Sequence, residues 1–301
     1  YGANRSYIYM AIRRPDQSTP TAASDVFSVV SQAGGYQVNR KATTGFPVDF
    51  TIGKEKSNSS GSWYAYDRLR SGQKDLRTDD TTAEGTNSPA PVSFDFNDGI
   101  KTQLFNSSNT VIWYMWKRAK GYFDVVAYTG NGNSPQNHSH NLGVAPEMMW
   151  IKRRDDAEDW SVYHKDLPIT NMLYLNTTQS GLTGKWASTA PTSSVFTTSG
   201  DDKVGGSGAT YIAYLFATVA GVSKVGSYTA DGNAQNIDCG FSSGAKFVLI
   251  KRSNGTGNWF ILDTARGIVA GNDPLLELNS TSAQDSGYDN MDPYNAGFTI
   301  T

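Results

Sequence analysis

Val111-Ile112-Trp113-Tyr114-Met115-Trp116 is an unbroken run of apolar, mostly β-branched or aromatic residues, and it returns as Tyr211-Ile212-Ala213-Tyr214-Leu215-Phe216. An earlier version stands at Tyr7-Ile8-Tyr9-Met10-Ala11-Ile12, so the copies lie 104 and 100 residues apart. Other landmarks follow in the same order. Pro146-Glu147-Met148-Met149-Trp150-Ile151-Lys152-Arg153 matches Ala245-Lys246-Phe247-Val248-Leu249-Ile250-Lys251-Arg252 and, more loosely, Pro47-Val48-Asp49-Phe50-Thr51-Ile52-Gly53-Lys54, with Ile52, Ile151 and Ile250 spaced by 99. Trp63, Trp160 and Trp259 open the next strand of each copy. Leu175-Asn176-Thr177-Thr178 matches Leu278-Asn279-Ser280-Thr281, and Phe94, Phe196 and Phe298 are each 102 apart. A fixed period is read before any catalytic motif, because it sets domain count and architecture together.

The runs are short, rich in Val, Ile, Tyr, Phe and Trp, and separated by Gly, Ser, Thr and Asn, which is the chemistry of strands and turns. No window sustains the spacing of an amphipathic helix between a cap and a stop. The expected fold is all-β: tandem β-sandwich, jelly-roll-like units of about 100 residues. The boundaries read as 1–16, the terminal strand of a preceding unit; 17–120, unit 1; 121–220, unit 2; and 221–301, unit 3 without its last strand. A chain cut as a window from a longer one explains both ends. A rival reading closes a ring in which the first strand completes the third unit.

With 301 residues, 38% hydrophobic and 18% charged, the chain has apolar material for packed cores and too little charge for disorder. Lys and Arg number 26 against 28 acidic residues, a balance that argues against nucleic acid as a partner. No apolar run reaches bilayer-spanning length, so membrane insertion is not expected. The single cysteine, Cys239, excludes an intrachain disulfide.

Chemistry-bearing residues are sparse. The three tryptophans share a strand face with Ala65, Val162 and Ile261, which points them into a core. Glycan or receptor contact would fall to loop aromatics: Tyr36, Trp186, Tyr288 and Tyr294. His138 and His140 alternate along one strand face, the spacing of a transition-metal pair, although unit 3 carries Ile237 and Cys239 there. His164, Lys165 and Asp166 with Asp155, Asp156, Glu158 and Asp159 are better read as a solvated loop than as an acid–base site. Asp95, Asn97 and Asp98 resemble part of a calcium loop but lack its downstream ligands. Lys152-Arg153-Arg154 and Lys251-Arg252 read as a water-facing sheet rim, and Asn176 and Asn279 as turn residues. No nucleophile motif is present, no enzymatic activity is expected, and no cofactor is expected.

The series Tyr228-Thr229, Gly240-Phe241, Phe247-Val248-Leu249-Ile250-Lys251-Arg252, Trp259 with Leu262-Asp263-Thr264, Arg266-Gly267, Leu278-Asn279-Ser280-Thr281 and Gly297-Phe298-Thr299 resembles a repeat of tailed-phage virion appendage proteins. These are tail-fibre-like proteins, marine and cyanophage ones especially, with concanavalin- or LamG-like sandwiches. Gly208-Ala209-Thr210-Tyr211 and Gly45-Phe46-Pro47-Val48-Asp49 extend the resemblance to the other units. His164 departs from it, standing where Asp67 and Asp263 stand. The resemblance implies an extracellular structural protein of a virion tail appendage that contributes to host attachment. Its implied partners are copies of itself, as a trimer, other virion proteins and host surface glycans. Alternatives are a secreted or cell-surface glycan-binding protein or glycanase with the same sandwich, or a head decoration protein.

Overall fold

A computed structural model describes residues 18–33, 40–87, 91–102, 109–183 and 186–301. The strand expected within 1–16 and the loop aromatic Tyr36 lie outside these residues. The fold is all-β, as expected; the one helical element among the described residues is a 3-10 turn at Ala23–Asp25. No helix among them is long and apolar enough to cross a membrane.

Three sandwiches follow one another. In the first, a six-stranded antiparallel sheet carries Phe27–Gln32, Val111–Trp116, Phe50–Glu55, Tyr64–Asp67, Lys74–Arg77 and Gly85–Thr86 in that spatial order. The second repeats this order with Phe123–Thr129, Thr210–Phe216, Met148–Arg153, Ser161–His164, Asn171–Tyr174 and Leu182–Thr183. In the third, among the described residues, the corresponding sheet pairs Phe247–Lys251, Trp259–Asp263 and Leu276–Glu277. A smaller sheet covers one face of each, formed around Arg40–Thr43, Gln136–Ser139 and Gln235–Asp238 respectively. Each sandwich therefore encloses its own core.

A fourth core lies between the sandwiches. It joins Phe50, Ile52, Trp63 and Tyr114 of the first, Trp150, Trp160, Val162 and Tyr214 of the second, and Trp259, Ile261 and Leu278 of the third. This explains why Val111–Trp116 is apolar throughout and buried at all six positions. Val111, Trp113 and Met115 fill the first sandwich, while Ile112, Tyr114 and Trp116 fill the shared interior. A strand covered on both faces has no reason to alternate. The close approach is tight enough to dictate residue size: a Cβ on Gly53 would fall 2.3 Å from the Trp113 ring.

The ladders correct two sequence alignments. Phe50, Met148 and Phe247 face Asp67, His164 and Asp263, so Gly53, not Ile52, is the counterpart of Ile151 and Ile250. Likewise Ile100, not Phe94, corresponds to Phe196 and Phe298, since these three face Ala42, His138 and Ile237. Both slips arise where loops of unequal length precede a strand, and only the ladder fixes register there.

Candidate functional site

The most built part of the molecule is the seam where the sandwiches meet, and its contacts run in closed rings. Trp160 Nε1–H donates to Arg77 O at 2.6 Å, Trp259 Nε1–H to Tyr174 O at 2.8 Å, and Trp63 Nε1–H to Glu277 O at 2.8 Å. Unit 2 thus donates to unit 1, unit 3 to unit 2, and unit 1 back to unit 3. The acceptors are equivalent, each sitting opposite the residue after its own tryptophan. The same order holds for three lysines. Lys152 Nζ donates to Thr81 O at 3.1 Å, Lys251 Nζ to Thr178 O at 3.2 Å, and Lys54 Nζ to Thr281 O at 2.8 Å. A third ring is backbone alone: Glu84 N to Arg154 O, Gly181 N to Ser253 O and Gln284 N to Lys56 O. The backbone ring donates in the opposite sense to the other two, and the three together define a pseudo-threefold arrangement within one chain.

Local chemistry holds the donors in place. Asn176 and Asn279 accept the backbone N–H of Trp160 and Trp259 through Oδ1, at 2.9 and 2.7 Å, and Asp79 does the same for Trp63 at 2.8 Å. The Asn-x-Ser/Thr recurrence is therefore a clamp on the strand that carries the tryptophan. Lys54 and Lys152 are fully buried, and desolvation pulls their ammonium groups down to about 8; nearby acidic groups oppose this, among them Asp79 at Lys54 and Asp80 at Lys152. Lys152 is thus not part of a water-facing rim, because its stem points to the interior and its head finds a neighbouring unit's carbonyl.

Two further contacts bury charge. Tyr214 Oη donates to Asp67 Oδ2 at 2.7 Å, and Arg70 binds the same carboxylate and donates to the tyrosine oxygen at 3.1 Å. Tyr114 Oη donates to Asp263 Oδ2 at 2.7 Å, with Arg266 holding that carboxylate at 2.6 Å. Burial raises both phenols well above their ordinary range. At the third position His164 replaces the aspartate and Leu167 the arginine. Burial lowers the His164 imidazole, and the backbone of Gly226 lies beside it.

The residues singled out from sequence are scattered. Trp186 is 3% exposed and stacks 5.7 Å from Tyr163 inside the second sandwich, so its face is closed to a sugar. Tyr288 is the exposed one, at 63%, and Tyr294 is half-buried at the end of Met291–Tyr294. His138 and His140 are buried against Phe196, with ring centroids 5.0 and 6.4 Å from it. Their Nε2 atoms pair with Thr198 Oγ1 at 2.9 Å and Thr192 O at 3.2 Å. Desolvation lowers His138 to about 4 and His140 in the same direction. Among the described residues no group of three or more His, Cys, Asp or Glu is placed to hold a metal ion. The histidine pair packs in the core of the second sandwich, each Nε2 engaged by a protein oxygen.

The acidic loop is taken up by basic partners. Glu158 and Asp159 bind Lys203 at 2.6 and 3.0 Å, Asp155 binds Arg153 at 3.3 Å, and Lys165 turns away to Glu147 at 2.8 Å. Asp98 binds Lys41, and its carbonyl accepts from Thr44 at the strand-ending turn. Sequence reading missed the lysine ring. The signal was present: Lys54, Lys152 and Lys251 recur inside otherwise apolar strands.

An all-β chain of repeated sandwiches closed on a shared interior is the class these features define. Residues 22–301 match the family model described as "Domain of unknown function (DUF7483)", and the chain belongs to that family. No curated protein and no solved structure matches it.

Proposed function

We propose that this chain is a structural, non-enzymatic component of a tailed-phage virion appendage that helps the particle attach to its host. The observation that carries the reading is how the surfaces are used. The three sandwiches turn their tryptophan-bearing faces on one another and leave the connecting loops outside. A scaffold whose strands are committed to packing, with loops that differ between copies, is where weak recognition contacts accumulate. The loop at 131–135 and the exposed Tyr288 are such places, and host glycans are the ligand class suited to an exposed aromatic. The resemblance of the repeat to tail-fibre proteins supports the same reading. Further association of whole chains, expected as a trimer, would use outer surfaces, because the inner faces are already spent within one chain.

The test is adsorption of particles carrying Tyr288→Ala or a Gly/Ser replacement of 131–133, each shown to fold as the parent. Reduced adsorption supports host contact. Unchanged adsorption leaves a purely structural shaft, and glycan turnover by the purified chain would move it to the enzyme class.

A further inference from the structure

The buried Asp–Arg pairs of the first and third sandwiches are built alike. Arg70 sends its backbone N–H to Asp67 Oδ1, Nε–H to Asp67 Oδ2 and Nη2–H to Ala65 O. Arg266 does the same to Asp263 Oδ1, Asp263 Oδ2 and Ile261 O. Each pair receives the tyrosine of a neighbouring unit, Tyr214 or Tyr114. They differ at Nη1. Arg70 Nη1–H donates to Glu84 Oε2 at 3.2 Å, whereas Arg266 Nη1 is buried and has no hydrogen-bond partner among the described residues. The Arg266 side chain is 1% exposed, so bulk water does not reach it.

The residue at the place of Glu84 accounts for the difference. Glu84 N donates to Arg154 O at 2.8 Å and Gln284 N to Lys56 O at 2.7 Å, so Gln284 is the counterpart of Glu84, and Lys56 that of Arg154. Arg154 donates to Glu84 through Nε and Nη2 at 2.8 and 3.1 Å, and the set is balanced, with Asp67 and Glu84 against Arg70 and Arg154. Burial raises the Glu84 carboxyl, and Arg154 and Arg70 more than offset it, leaving it below the usual carboxylate range. The place favours a negative charge. Between units 3 and 1 both cations are kept, as Arg266 and Lys56, and the carboxylate is exchanged for a neutral amide. Gln284 Nε2–H turns to Ser286 Oγ at 3.2 Å, and its Oε1 is buried without a partner among the described residues. Asp285, next in the chain, is exposed and accepts from Gly287 N at 2.8 Å. Between units 2 and 3 the set has gone as a whole, with Leu167, Gly181 and Ser253 in the three places. Losing every member of a buried ionic set leaves nothing to compensate; losing one leaves a charge unanswered.

We propose that the junction between units 3 and 1 binds a small monovalent anion, of the size and charge of chloride, held by Arg266 and Lys56 where the first junction has the Glu84 carboxylate. This goes beyond the proposed function and does not rest on it. A guanidinium N–H in a low-dielectric seam is a strong donor to an anion. Lys56 is half-buried and brings a second positive charge on a flexible stem. Turning the Gln284 amide over lets Ser286 Oγ–H donate to Oε1 and gives the buried end an N–H. One ligand then answers both unpartnered groups. Phosphate or sulfate would bring a second charge that Arg266 and Lys56, beside Asp263, do not balance.

Thermal unfolding of the full chain in sodium chloride, against sodium gluconate at equal ionic strength, tests this. The Tm of the parent should rise with chloride and level off about 2–4 °C above its value in gluconate. Gln284→Glu supplies the carboxylate from the chain itself, so its Tm should differ by less than about 1 °C between the two salts. Glu84→Gln recreates the same charge balance at the first junction and should add a chloride response of similar size. A parent with one Tm in both salts, or a Gln284→Glu variant that keeps the parent's response, would overturn the proposal. Crystals of the parent grown in sodium bromide give a reading independent of stability. An anomalous peak is expected within hydrogen-bonding reach of Arg266 Nη1 and none beside Arg70 Nη1; no peak at Arg266 would overturn the site.

Discussion

The indole of Trp160 donates to the carbonyl of Arg77, 83 positions earlier and in another sandwich, and the bond has an equivalent at each of the other two junctions. Buried indole donors without partners cost free energy. Each sandwich therefore depends on a neighbour to satisfy one buried indole, and the three should behave as one cooperative body.

Trp160→Phe keeps most of the apolar volume and loses the donor, leaving Arg77 O unpaired, so a loss of about 1–2 kcal/mol is expected. Trp160→Ala adds a cavity and should cost about 3–5 kcal/mol. Urea unfolding followed by fluorescence and by circular dichroism checks both, and the two probes should give one coincident transition. An isolated fragment 121–220 should fail to unfold cooperatively.

Asp67→Ala strips Arg70 and Tyr214 of a shared acceptor in a fully buried setting. A loss of about 3–5 kcal/mol is expected, as for other broken buried pairs. The combination Asp67→Leu, Arg70→Met and Tyr214→Phe removes the whole set and should recover most of that loss, read as the urea midpoint.

Burial holds Lys54 and Lys152 near 8 against 10.5 when solvated. Between these values the unfolded chain binds more protons than the folded one, so stability rises with pH across that window. Below 8 both states are charged and the desolvation cost is fully present. Lys152→Met should flatten part of the rise, by about 1–2 kcal/mol between pH 7.5 and 9.5. At pH 7 it should lie within about 1 kcal/mol of the parent, since Thr81 O still accepts from Glu158 N at 3.0 Å.

His138 is held at about 4 by desolvation. Its depressed value means that stability is complete above 6.5 and is lost as pH falls toward 4, because the unfolded histidine protonates first. The contribution is about 3 kcal/mol at most. His138→Ile, the residue found in unit 3 as Ile237, should remove that share of the acid dependence. Thermal midpoints of the two proteins between pH 4 and 7 provide the check.

Strand chemistry, the period near 100 and the inward-facing tryptophans were legible in the residues themselves, because β-branched and aromatic runs between Gly and Asn turns fold the same way wherever they occur. The continuous apolar run at Val111–Trp116 also announced a strand covered on both faces. What covered the second face was not legible: periodicity marks a face as buried without naming its partner. Register was decided by the ladders: Phe50–Glu55 is buried on both faces, so a one-residue slip there leaves no face exposed, and a loop of different length before Gly99 puts Phe94 six positions from Ile100, the true counterpart. Lys152 looked like a solvated rim because a lysine's charge is usually in water. Only the tertiary structure brought Thr81 O to its ammonium group, 71 positions away. Trp186, placed in a loop by sequence, was drawn into the second core by Tyr163, a neighbour that no local pattern could name. Local physics determined each sandwich; the closing of three of them on one interior rests on contacts between residues far apart in the chain, which exist only once the chain has folded.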